Sequence, residues 1–149
     1  MLSVSAQVAF GSIESPIPPL RERLARSRLI IAGTIGRVTT QRNPNSGMVY
    51  SRYYIESILP LRPKKLASPV VVRTYGGSFE GNFYEIAGAA RLIEGERYIF
   101  LLNRCRADSS AFELAYETHG LFHVLGTDRL VFDYSWRPVL DVNQSVPST

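Results

Sequence analysis

The sequence predicts a mainly β protein, a small closed barrel of five to six strands with one short N-terminal helix. Three observations carry this: segments rich in Val, Ile, Tyr and Phe recur at close intervals, Gly, Pro or Asn turns separate them, and a single stretch has helical spacing. At 149 residues the chain is about one domain long. One unit over residues 1–149 is expected, with flexible ends at 1–15 and 143–149. Folding at this size removes roughly two thirds of the extended chain's surface from water.

The elements follow in order. In "SPIPPLRERLARSR", prolines suit a helix's first turn and Ile17, Leu20 and Leu24 recur at helical spacing, with Arg21, Arg23, Arg26 and Arg28 as its solvent face. "RLIIAGTIGRVTT" is a long β-branched strand whose Gly33 and Gly36 mark bulges or sharp coiling. "QRNPNSG" turns the chain into "MVYSRYYIESILPL", with Val49, Tyr53, Ile55 and Leu59 as core positions, and Pro60, Pro63 and Pro69 end that strand. "PVVVRTY" is the third strand. Gly76, Gly77 and Gly81 lead into a short return segment, "FYEIAG", and Gly95 turns the chain into "RYIFLLNR", whose nearly continuous apolar run suits a strand covered on both sides. Residues 111–118 alternate, with Phe112, Leu114 and Tyr116 one way and Glu113, Ala115 and Glu117 the other. Gly120 then turns into "LFHVLG", "LVFDY" follows, and Trp136 docks the last segment. A lone helix and a first strand coiled at glycines favour an OB-like barrel.

Composition excludes several classes. No run of about 18 apolar residues is present to span a bilayer, so no membrane insertion is expected. Cys105 is the only cysteine, which rules out an internal disulfide and a thiolate zinc cluster within one chain. The start "MLSVSAQVAFGSIESP" lacks the cationic and continuous apolar regions of a secretory signal. The net charge is +4, and all but two of the 17 basic side chains are Arg, the exceptions being Lys64 and Lys65. Guanidinium forks suit carboxylate, phosphate and aromatic partners, but solvated Arg on strand edges also discourages aggregation.

The stretch "GGSFEGNF" raises the question of a phosphate loop. Such a loop requires Lys and Ser or Thr after its glycines, at the mouth of a helix; here Glu80 occupies the loop, no lysine follows, and the next residues alternate like a strand. The glycines are read as turning the chain.

The order "AGTIGRV", "LRPKKL", "VVRTYGG", "EGNFYEIAG", "IEGERYIFLL" and "YETHGLFHVL" resembles a group of small bacterial extracytoplasmic domains related in pattern to the netrin-like barrels and the tissue inhibitors of metalloproteases. The resemblance spans residues 27 to 126, and Gly76 and Gly77 with Gly95 and Glu96 carry most of it. It implies an OB barrel and an extracytoplasmic location. The inhibitors chelate a protease zinc through an N-terminal cysteine; this chain has none before Cys105, so that mechanism is not carried over.

No residue set for catalysis emerges, and no enzyme, cofactor or metal is expected. His119 and His123, with Glu117, offer metal-ligand types, but Gly120 interrupts their shared face. Cys105 lies in the polar "NRCRAD" tip between Arg104 and Arg106, a reactive surface thiol at most. Binding has better candidates: with Val49, Tyr53 and Ile55 inward, Tyr50, Arg52 and Tyr54 point outward on the second strand, beside Arg73 and Tyr75 on the third. OB barrels commonly bind through that face. The expectation is a non-enzymatic interaction module for a protein or glycan; the alternative is a single-stranded nucleic-acid binder whose Tyr and Arg stack bases.

Overall fold

A computed structural model describes residues 16–66, 69–127 and 129–141. The two ends read as flexible, 1–15 and 143–149, lie outside the described residues. Helix α1 (Leu20–Arg26) precedes β1 (Leu29–Arg42), β2 (Val49–Arg62), β3 (Val71–Tyr75), β4 (Gly77–Phe79), β5 (Asn82–Tyr84), β6 (Arg97–Arg104), β7 (Phe112–Leu114), a 3₁₀ turn (Glu117–Gly120), β8 (Leu121–Leu125) and β9 (Leu130–Asp133).

Five strands close into a barrel in the order β1-β2-β3-β7-β6, because β1 pairs back onto β6. The closing ladder is antiparallel and runs from Leu29 opposite Leu102 to Thr34 opposite Arg97. The one parallel step joins β3 to β7, with Val72 opposite Phe112. β8 pairs with the first half of β6, and β9 extends the sheet beyond it.

The barrel interior is filled by alternate side chains, among them Ile31, Ile35, Val72, Tyr98, Phe100 and Leu102, none more than 1% exposed. The opposite side of β6 is covered as well. Leu101 packs with Ile30, Phe122 and Leu20, the last from α1, so the apolar run of β6 is buried on both faces.

A seven-residue helix is too short to stand alone. Its cover of Leu101 and Phe122 holds it, and Arg62, at the end of β2, donates from Nη2 to the carbonyls of Leu24 and Ser27, the latter at 2.6 Å. This satisfies carbonyls that a helix C-terminus leaves open.

Bulges change the parity that strict alternation predicts. Register shifts fall between Ile30 and Ile31, between Ala32 and Thr34, and between Ile35 and Val38; the last, at Gly36, is the expected bulge on β1, whereas at Gly33 the extra residue is on the facing strand. On β2 the extra residue lies near Ser57, whose φ is +51°. Leu59 is therefore turned outward and 45% exposed, not part of the core, while Ile58 packs against the core in its place.

Three further expectations are corrected. Ile17 precedes the helix instead of belonging to it, because Pro18 and Pro19 delay its start. Arg23 is buried beneath α1, not on its solvent face. The alternation of residues 111–118 ends at Leu114, since Tyr116 and Glu117 take φ of +63° and +51° and turn the chain into the 3₁₀ segment.

The glycine-rich stretch forms a hairpin. Glu80 and Gly81, with φ of +51° and +84°, make the tight turn between β4 and β5, a twist that matches paired strands. Gly77 is where this hairpin meets the barrel. Its φ is +121°, and a Cβ there would lie 2.2 Å from the Oγ of buried Ser51, which donates to the Gly76 carbonyl at 2.7 Å. Gly77→Ala is therefore expected to cost about 2–4 kcal/mol in urea unfolding, from backbone strain plus overpacking. Gly47→Ala, at φ +76° with open space around it, should cost about 1 kcal/mol; equal losses for the two variants would refute the close approach at Gly77.

Candidate binding face

The outer face of β2 and β3 follows from alternation before the Ser57 bulge. Val49, Ser51, Tyr53 and Ile55 are buried, which turns Tyr50, Arg52 and Tyr54 outward. On β3, Val72 and Thr74 are buried, and Arg73 and Tyr75 face out. Register then sets Tyr50 opposite Tyr75 and Arg52 opposite Arg73, so all five residues singled out in the sequence share one surface.

These side chains are tied to one another and to neighbours the sequence did not indicate. Arg73 sits over the Tyr50 ring at 3.8 Å and near that of Tyr75 at 6.0 Å. Arg37, from β1, lies over Tyr54 at 4.1 Å. Each such contact is worth about 0.5–1 kcal/mol at an exposed site. Tyr50 donates its hydroxyl to Gln41 Oε1 at 2.6 Å. Arg52 pairs with Asp108 and donates to Ser110 Oγ at 3.3 Å, both in the β6–β7 connection.

The electrostatics follow these contacts. Ser110, donating from both hydroxyl and amide, holds the Asp108 carboxyl below its usual range, and Arg52 adds to this. The Arg52 guanidinium and Thr39 likewise hold the Tyr54 phenol below its ordinary value. Asp108 thus offsets the charge of Arg52, and guanidinium groups cover the rings of Tyr50 and Tyr54.

The accessible aromatic surface lies at the edge of this face. Tyr75 is 49% exposed and Phe83, on β5, 50% exposed. Both line a groove of about 220 Å³ at the end of the barrel, under the β4–β5 hairpin. Its walls include Val38, Ile86 and Leu92; Ser51, Thr74, Arg91 and Glu94 contribute polar groups. Arg91 lies over the Phe83 ring at 4.7 Å. Sequence reasoning passed over Phe83 and the groove because they depend on where the hairpin folds back, which local pattern does not specify. Arg37 was missed because the Gly36 bulge decides its direction.

Residues considered for chemistry are placed apart. His119 is on the 3₁₀ turn, and its backbone carbonyl accepts from Arg23 Nη1 at 2.6 Å. His123 is buried on β8, where its ring stacks on Trp136 with centroids 3.6 Å apart and its Nε2 lies 3.1 Å from the Tyr134 carbonyl oxygen. Among the described residues no three His, Cys, Asp or Glu side chains gather as a metal-binding group. Cys105 is not a surface thiol: it is 6% exposed and packs with Val71 and Ala111, with Tyr54 against them. The short 105–111 connection folds back through the Cys105 N–H to the Ala111 carbonyl at 3.1 Å, which buries the side chain.

No helix among the described residues is long and apolar enough to cross a membrane. No family model, no curated protein and no solved structure matches the chain.

Burial, followed by the charge of Arg23, lowers the pKa of His119 below the imidazole value of 6.5. Unfolding therefore takes up a proton as pH falls, so stability at this residue is complete above about 6.5 and declines as pH drops toward the lower folded value. His119→Gln should flatten the dependence of unfolding free energy on pH between 7 and 5. An NMR titration of His119 with a midpoint above 6.5 would contradict this.

Proposed function

We propose that the protein is a non-enzymatic binding module that engages a protein or glycan ligand at the barrel-end groove and the adjoining β2–β3 face. The observation that carries the reading is the pair of half-exposed aromatics, Tyr75 and Phe83, flanking a groove of about 220 Å³ with buried Ser51 and Thr74 on its inner side. Flat aromatic surface beside a few convergent polar groups suits the apolar face of a sugar or an aliphatic side chain.

Guanidinium groups cover the rings of Tyr50 and Tyr54, and Asp108 is paired with Arg52, which favours this ligand class over a nucleic acid. A guanidinium over a ring takes one face from base stacking, and Asp108 withdraws the charge of Arg52 from a phosphate. The extracytoplasmic location implied by the family resemblance belongs to the same proposal, since surface glycans and protein partners are met there.

The test is a glycan array together with single-stranded oligonucleotides, followed by titration of any hit at increasing salt. Binding of a glycan that weakens at least tenfold in Tyr75→Ala and in Phe83→Ala, and that changes little with salt, is the expected outcome. Oligonucleotide binding that falls steeply with salt and survives both substitutions would overturn the reading in favour of a nucleic-acid binder.

A further inference from the structure

Arg23 is the only Arg or Lys among the described residues that is buried, at 6% exposed. A guanidinium out of water must have its donors and its charge answered. Its donors are answered in part: Nε donates to the Pro18 carbonyl at 2.9 Å and Nη1 to that of His119 at 2.6 Å. Nη2 has no hydrogen-bond partner among the described residues.

Its charge lies 5.9 Å from the centre of the Phe122 ring, and among the described residues it has no carboxylate to itself. Carbonyl oxygens accept hydrogen bonds but carry no full charge, and the carboxylate that faces Arg23, that of Asp133, is already committed. Asp133 Oδ2 accepts from Arg137 Nε at 3.0 Å, and Oδ1 accepts from the amides of Ser135 at 3.0 Å and Arg137 at 2.8 Å. Burial accordingly lowers the Arg23 pKa, with Asp133 opposing the shift only in part. His119 adds no positive charge at neutral pH, since burial and Arg23 both disfavour its protonation.

These groups line one cavity of about 40 Å³ outside the barrel, between α1 and the β8–β9 hairpin. Among the described residues two guanidinium groups face one carboxylate there, a surplus of one positive charge. Leu20, Phe122 and Val139 line the remainder. By the volume a water requires, the space accommodates roughly three water-sized groups.

We propose that this cavity is a binding site for a small monocarboxylate of the size of acetate or propionate. One negative charge balances the surplus. The carboxylate takes the unspent donors of Arg23, Arg137 and Ser135, and its alkyl end lies against the apolar lining. A planar carboxylate matches a guanidinium fork, which inorganic chloride does not, and a divalent phosphate would leave charge uncompensated beside Asp133.

The experiment uses the full chain at pH 7, with sodium acetate and propionate compared with sodium chloride and phosphate at equal ionic strength. A saturable rise in Tm with the carboxylates alone, and saturation transfer from Phe122 ring protons to the acetate methyl group, are expected. Arg23→Lys, which keeps the charge and loses the fork, and Ser135→Ala, at an exposed position that leaves the fold undisturbed, should each weaken acetate binding, the former at least tenfold. The same Tm rise in chloride, or no transfer to the methyl group in the unsubstituted protein, would overturn the proposal, as would unchanged affinity in Arg23→Lys.

Discussion

Closure of the barrel through the β1–β6 ladder is the constraint on which the other features rest. Six consecutive pairs, Leu29 with Leu102 through Thr34 with Arg97, join β1 to β6, the last strand in the barrel order, and remove the edges an open sheet would expose. With the sheet shut, the inward residues of all five strands face one another, and Ile31, Val72 and Phe100 are sealed from water. The ladder is continued at one end by Arg28, whose amide donates to the Leu102 carbonyl, and at the other by Ile35, which exchanges bonds with Gly95 and Glu96. Everything outside this cylinder is positioned by it, including α1, the β4–β5 hairpin and the β8–β9 extension.

Arginine holds that outer layer in place. Arg62 ties α1 to the end of β2, Arg23 ties it to the 3₁₀ turn, and Arg97 reaches Thr34 and the Ser57 carbonyl across the bulge. Arg42 joins the β1–β2 turn to the β5 hydroxyl of Tyr84. A fork with five donors can join two backbone carbonyls or cover a ring while doing so, which a lysine ammonium does less well. The composition's bias toward Arg thus has structural uses in this fold, and only part of the positive charge is left to meet a ligand.

The two proposed sites differ in physical character for this reason. At the barrel end the inner polar groups Ser51 and Thr74 are neutral, Arg91 and Glu94 on the lining carry opposite charges, and the aromatic surface of Tyr75 and Phe83 is half exposed. Beneath α1 an unbalanced charge dominates and the cavity is small. The first suits a ligand recognised by shape and apolar contact, the second a ligand recognised by its charge and size.

Much of the barrel was legible in the residues themselves. Strand positions, the turns at glycine, the burial of "RYIFLLNR" on both sides and the shared face of Tyr50, Arg52, Tyr54, Arg73 and Tyr75 all follow from a period of two, which is a property of the extended backbone alone. What alternation cannot carry past a bulge was decided by tertiary structure: Leu59 went outward and Arg37 came over Tyr54 because one inserted residue reverses every side chain beyond it. Partners far apart in the chain decided the rest. Arg23 is 96 residues from the carbonyl it meets, and Arg52 is 56 from Asp108. The sequence by itself determined which residues are able to be inside; only the closed sheet determined which charges went in with them, because a buried ion depends on acceptors that folding brings from elsewhere in the chain.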